Sequence, residues 1–318
     1  MNTRLACLAL VVLSGCRSDS NSNPIDSHVA DGTSSTDGTA NACVSYLTSP
    51  IATMRQGTPG CFKLENVVSL GVTPSTKSPK LFVQDAGGGD FSAMLTKCSS
   101  TSTSHPCSVN AAVAAIPDGH SVTITGTYIR TSSTTFEEFF IDSITDNGAG
   151  TVPAPATATL ANIERSGTAK DLRFQRVTAN ISAADMLQMY DWTPSEFSNT
   201  SATACPYQFG FAMLPKSVTG QTATPACTSG TAQPAGQVSP NAAEVLIGTD
   251  FFKGFTVSSD CRCAKTFTDM EPSATSTLTG AVSGLLVFDV PFGGTVGYYY
   301  LDPKTTADAP ITNLVAGM

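Results

Sequence analysis

The chain has 318 residues, a formal net charge of −8 and only 13% charged residues. It contains no Lys/Arg cluster. The basic face by which proteins hold nucleic acid through phosphate contacts is therefore not expected, nor is a nucleic-acid partner. Abundant Thr, Ser, Gly and Ala with few long helix formers point instead to an all-β exported protein.

At the start, Arg4 supplies a positive charge and Leu5 to Leu13 form an apolar run. The run is long enough for a secretory signal and well short of the roughly twenty residues that a membrane-spanning helix needs. Leu13-Ser14-Gly15-Cys16 follows directly, and it resembles the lipobox of bacterial lipoproteins. The resemblance implies that residues 1–15 are a signal peptide cleaved before Cys16. It further implies that the Cys16 thiol is lipidated, which makes the membrane a partner through that anchor. Acyl chains contribute about 0.8 kcal/mol per buried CH₂, so two or three of them hold a protein stably. Residue 17 is arginine, not the aspartate that resembles an inner-membrane retention signal, and this favours the outer membrane, on its periplasmic or its outward face. Residues 16–42, rich in Ser, Asp, Asn, Thr and Gly, bury too little apolar area to fold and read as a polar tether.

The expected first domain spans 43–146. "CFKLENVVSLGV", "KLFVQD" and "DFSAMLTK" read as strands, with "GGG" as a turn between the last two. "SVNAAVAAIP" reads as a short helix with Ser108 as N-cap and Pro117 as terminator. "HSVTITGTYIR" alternates, placing Val122, Ile124 and Tyr128 on one face and Thr123, Thr125 and Thr127 on the other. "TFEEFFIDSIT" closes the module, giving the order β-β-β-α-β-β. These residues resemble the OB-fold modules of exported bacterial proteins: "KLFVQDAGGGDFSAM" as strand and Gly-rich hairpin, then "SVTITGTYIR", then "FEEFFIDSI". The resemblance implies a five-stranded barrel with a helix between its third and fourth strands. OB barrels host many ligands, so it implies no particular activity. It would place a ligand face at Phe82, Gln84, Asp85, Phe91 and Tyr128, although core packing is the ordinary role for such phenylalanines.

Residues 147–160 are rich in Gly, Pro and Ala and read as an interdomain linker. The remainder, 161–318, reads as a divergent copy. "LRFQRVTANIS" parallels the first strand and "YQFGFAMLP" the second. "STLTGAVSGLLVF" and "TVGYYYLDPKTTAD" parallel the last two. Two insertions distort the copy: "MLQMYDWTPSEF", which holds Trp192, and a long loop over 215–243. Tandem immunoglobulin-like sandwiches are the alternative architecture.

Besides Cys7, in the signal, and Cys16, eight cysteines remain, an even number that reads as disulfides in an exported chain. Cys43–Cys61 and Cys98–Cys107 are the local pairs of the first half. In the second, a Cys-x-Cys on a strand has both Cβ atoms on the same side but too far apart to bridge. Cys205 and Cys227 should therefore each bond one of Cys261 and Cys263. Zinc is disfavoured, because no Cys-x-x-Cys exists and His28, His105 and His120 are scattered.

No catalytic constellation emerges: the chain has no Gly-x-Ser-x-Gly elbow, no His-Glu-x-x-His and no phosphate-binding glycine loop. His120 reads as a turn histidine. Asp85 and Asp90 read as solvated acids of a hairpin, not calcium ligands. Glu137 and Glu138 are adjacent, so they are no carboxylate pair. Tyr298, Tyr299 and Tyr300 alternate faces, so one of them should be exposed or in a groove. No metal or cofactor is called for. The expected role is a lipid-anchored envelope module that contacts an envelope protein or a glycan without catalysis. An accessory domain of an exported enzyme acting on nucleic acid or polysaccharide is the alternative.

Overall fold

A computed structural model of the chain describes residues 43–74, 79–98, 109–130, 137–191, 198–199, 207–208, 210–221, 239–251, 270–290 and 296–316. It begins with a two-residue strand, β1 (Leu47–Thr48), and a six-residue helix, α1 (Ile51–Gln56). Five strands and a second short helix follow: β2 (Gly60–Val72), β3 (Lys80–Gln84), β4 (Ala93–Lys97), α2 (Asn110–Ala114), β5 (His120–Arg130) and β6 (Glu137–Ala149). Their order in the sheet is β2-β3-β4-β6-β5, and β5 pairs back onto β2, so the sheet closes. This is the five-stranded barrel with a helix after its third strand. The parallel pairing of β4 with β6 is incompatible with an antiparallel immunoglobulin sandwich. Ser108 lies outside the described residues, and Val109 flanks α2 without a side-chain cap.

Closure depends on β2 serving two neighbours. Its first part, Gly60 to Val68, pairs with β5, and its last part, Val68 to Val72, pairs with β3. Two bulges, at Leu64/Val67 and Ser69/Gly71, give the local twist that bends one strand around the barrel. The expected alternation holds in β5, whose Val122, Ile124 and Tyr128 are buried while the intervening threonines are half-exposed. Gly126 continues the inward series, and its missing side chain is filled by the Phe139 ring.

Cys43 and Cys61 form a disulfide with Cα atoms 5.8 Å apart, tying the segment before β1 to β2. Its partners are 18 residues apart, a loop whose closure entropy is worth about 3 kcal/mol. Cys61→Ser should lower the unfolding free energy in urea by about that amount. A Cys61→Ser variant as stable as the parent would show the bridge to be energetically idle. Cys98 is buried just after β4. Its expected partner Cys107, and Cys205, Cys227, Cys261 and Cys263 with it, lie outside the described residues.

The connection to the second half is narrower than 147–160. β6 continues through Asn147–Ala149, where Asn147 donates to Asn66 and Thr123, and a new strand, β7, begins at Ala156 (Ala156–Ala158). Side-chain hydrogen bonds hold Asn147 in the sheet where composition alone suggests a break. The helix α3 (Leu160–Ile163) opens with Thr159 and Asn162 in reciprocal capping contact.

The second half contains β8 (Arg176–Ile181), β9 (Leu187–Asp191), β10 (Ser198–Asn199), β11 (Tyr207–Gln208), β12 (Gly210–Pro215) and β13 (Val245–Gly248). It ends with β14 (Met270–Glu271), β15 (Thr277–Leu278), β16 (Gly280–Asp289), β17 (Tyr298–Asp302), β18 (Ile311–Thr312) and β19 (Val315–Ala316). Eight of these strands, with β7, form a curled nine-stranded sheet in the order β18-β15-β9-β12-β13-β17-β16-β8-β7. The barrel plan is recovered when β8 and β9 together are taken as its first strand. β8 pairs with β16 and β9 with β12, just as the two parts of β2 serve β5 and β3. The parallel pairing of β13 with β17 then repeats that of β4 with β6. Because the chain leaves the sheet between Ile181 and Leu187, this second barrel stays open along one line.

Two sequence expectations change here. "MLQMYDWTPSEF" is not wholly an insertion: its Leu187–Asp191 is the second part of the first strand, and Trp192 lies outside the described residues. The third strand is Val245–Gly248, at the far end of the long loop, where no strand was expected.

Candidate functional site

Every residue of β3 and β4 is buried, although a barrel strand has only one face turned inward. The outer face is therefore covered, and the cover is the second barrel. Phe82 packs against Phe251, with ring centroids 5.8 Å apart. The Gln84 amide donates to Gln175 Oε1 at 3.3 Å and to Ser92 Oγ at 3.0 Å. The Gln175 amide donates back to the Gly89 carbonyl at 2.9 Å. Lys304 donates to the Leu70 carbonyl at 2.7 Å and pairs with Asp118.

The second sheet meets this face by strict alternation. Tyr190, Ala212, Leu214, Leu246, Leu285, Val287, Tyr298 and Tyr300 belong to one hydrophobic core with the first barrel. Their neighbours Met189, Phe211, Met213, Val245, Ile247, Leu286, Tyr299 and Leu301 form the core of the second barrel itself. The sheet is thus apolar on both faces, one for each barrel. This corrects the expectation that at least one of the three adjacent tyrosines is exposed or in a groove, since all three are buried. Tyr298 and Tyr300 are in the seam, and Tyr299 turns the other way and accepts a hydrogen bond from Arg173 Nε at 2.9 Å.

Arg55 of α1 pins the seam at one end. It is fully buried: Nε donates to Glu137 Oε2 at 2.7 Å. Nη1 donates to the carbonyls of Ala93 (3.1 Å) and Arg173 (3.4 Å), and Nη2 to that of Lys170 (3.1 Å). Its guanidinium lies 5.4 Å from the Phe91 ring centroid and 5.5 Å from that of Phe174. Both phenylalanines have left-handed backbone, with φ of 60° and 66°. That conformation costs on the order of 1–3 kcal/mol for each and persists because packing fixes it. One side chain therefore joins α1, β4 and β6 to the segment that leads into the second barrel.

The seam also contains charge. Lys80 of β3 and Lys97 of β4 are buried, and Lys97 pairs with Glu138 of β6. On the opposite side stand Asp250, after β13, Asp289, at the end of β16, and Asp302, at the end of β17. Burial pushes the Asp289 carboxyl up to about 6 against the pull of Lys80. Burial likewise raises Asp250 and Asp302, the latter far above the usual carboxylate range. Chemically, this arrangement disfavours the ionised form of each carboxyl at a buried interface. No sequence signal marked it, because Lys80, Asp289 and Asp302 stand at strand ends, where charge is normally solvated.

The residues expected to form a ligand face fall elsewhere. Phe82, Gln84 and Tyr128 are buried, Tyr128 inside the first barrel with its hydroxyl pushed up to about 12, chiefly by burial. Phe91 flanks Arg55, and its N–H donates to the Asp171 carbonyl at 2.8 Å. Asp85 accepts the N–H groups of Ile51 and Ala52, at 3.0 and 3.1 Å, and so caps α1. The structure brings four of the five to the seam or its margin and leaves Tyr128 apart from them. The face that OB barrels offer to ligands is taken by the chain's own second barrel.

Of the other candidates, Asp90 is exposed. Glu137 and Glu138 engage Arg55 and Lys97 separately. His120 is not a turn residue: it opens β5, where its Nδ1 contacts Asp146 of the neighbouring β6 at 2.9 Å, and Asp146 also accepts the Gly148 N–H. Those two contacts, the Gly148 bond foremost, hold the Asp146 carboxyl below its ordinary range. Among the described residues no cluster of His, Cys, Asp and Glu is arranged to hold a metal.

Neither a protein-family model nor a curated protein matches the chain. Solved structures with some likeness include one assigned as an aspartyl-tRNA synthetase from Leishmania major Friedlin, 13% identical, with a TM-score of 0.26. That match covers 41% of this chain and 26% of the other, and at such a TM-score it carries no argument.

Proposed function

We propose that this chain is an exported, lipid-anchored module of the bacterial envelope. In this reading its paired barrels bind an envelope protein or a glycan and carry out no chemistry of their own. The observation that carries the reading is the Cys43–Cys61 bridge, formed where the polar tether meets the first barrel. Disulfides persist in oxidising compartments outside the cytosol. The bridge gives the tether a covalent end point on the fold, and Leu13-Ser14-Gly15-Cys16 supplies the anchor at its other end. No helix among the described residues is long and apolar enough to cross a membrane.

The seam bears on where a partner would dock. With the outer face of β3 and β4 filled from within the chain, contact falls to loops and sheet edges. β7 and β18 end the nine-stranded sheet. Edge strands offer backbone N–H and C=O groups to an added strand.

Cys16→Ser should leave unprocessed precursor or shift the protein from the membrane to the soluble fraction. Mass spectrometry of the native protein should find an acylated Cys16 at the mature N-terminus. An unmodified Cys16 in the mature protein would refute the anchor. Crosslinking in detergent-solubilised membranes, followed by capture of this chain, should then return a defined envelope partner.

A further inference from the structure

The carboxylates of the seam are more numerous than its cations. Facing Asp250, Asp289 and Asp302 are Lys80 from β3 and Lys97 from β4, the latter already paired with Glu138 of β6. From β17 itself come Tyr298 and Tyr300, the second a hydrogen-bond partner of Asp250. Lys304 acts on Asp302 while bonded to Asp118 and Leu70, and Arg165 acts on Tyr298 while bonded to Glu244. Asp250 and Asp302 are joined through the Asp250 N–H, which donates to Asp302 Oδ1 at 3.2 Å. The Oδ2 atoms of both are sealed from water and have no hydrogen-bond partner among the described residues.

Ionised together, the two carboxylates would repel one another where burial already disfavours the charged form, and each would keep one oxygen without a donor. A proton on one of them removes one charge and provides a donor. We propose that the Asp250–Asp302 pair is an acid latch for the inter-barrel seam: it carries a proton while the barrels are packed, and the seam opens when that proton is lost.

The geometry sets the sign. Burial holds Asp302, Asp250 and Asp289 above their ordinary range in the packed state, so that state keeps protons that water-exposed carboxyls would release near pH 4. Packing is therefore fully supported below that pH. The support weakens as pH rises through the packed-state values, which burial sets at about 6 for Asp289 and well above the usual carboxylate range for Asp302.

The test compares the full chain at about pH 5.5 and about pH 9 by amide hydrogen exchange, small-angle scattering and far-UV circular dichroism. At the higher pH the amides of Lys80–Gln84 and Tyr298–Asp302 should exchange at least about tenfold faster after correction for the intrinsic rate. The radius of gyration should grow while the strand signal holds. Asp302→Asn, an uncharged mimic of the protonated acid, should stay protected at both pH values. Asp250→Asn should do the same, and it decides the matter if the first variant does not fold. Equal seam protection at both pH values in the parent chain overturns the latch. So does opening of the Asn variants like the parent, or loss of the strand signal together with protection.

Discussion

Arg55→Ala should destabilise the folded chain by about 3–5 kcal/mol, as expected when one partner of a buried ion pair is removed. The substitution strands the Glu137 carboxylate, only 12% exposed, and strips the donor from three carbonyls. It also removes the cation between two aromatic rings whose backbones are held in left-handed conformations. Arg55→Lys should recover little, because an ammonium cannot donate in four directions at once from one planar fork. Urea unfolding followed by far-UV circular dichroism reads both. A loss below about 1 kcal/mol for the alanine variant would place Arg55 among ordinary surface ion pairs and remove it as the pin of the seam.

Gly126→Ala should be of comparable size, about 3–5 kcal/mol, by another mechanism. A Cβ there would lie 2.0 Å from the Phe140 carbonyl oxygen and 2.6 Å from the Phe139 ring. The ring could turn, but the carbonyl belongs to the strand that closes the barrel, so β5 and β6 would have to separate. The expected result is either a lowered unfolding midpoint or insoluble protein. A variant as stable as the parent would mean that the bulge between Thr125 and Gly126 can absorb the extra atom.

How much of this was readable from residue order depends on the range of the interaction. The barrel itself was, because Val122, Ile124 and Tyr128 alternate with threonines and a hairpin glycine run precedes "DFSAM". The repeat was too, since "LRFQRVTANIS" and "STLTGAVSGLLVF" do occupy equivalent strands. Short elements held by distant partners were not. α1 has six residues and no local cap; its N-terminal N–H groups are satisfied by Asp85, 34 and 33 positions away. β9 reads as part of an insertion because the chain leaves the sheet before it. The five residues of the expected ligand face illustrate a further limit. Alternation tells which side of a strand a residue lies on, but it does not tell what covers that side, and here the cover comes from the other half of the chain.

The shared core has a consequence for how the chain reaches its native state. The partners of Phe82, Gln84 and Leu95 lie far along the sequence, from Gln175 to Tyr300, so the interactions that cover β3 and β4 have high contact order and form late. While synthesis proceeds, the N-terminal barrel must wait with one sheet face uncovered, an apolar strand surface of the kind that aggregates at moderate concentration. A fragment ending at Ala149 would be caught permanently at that stage. The pair of barrels is accordingly the smallest unit that covers all of its own apolar strand surface.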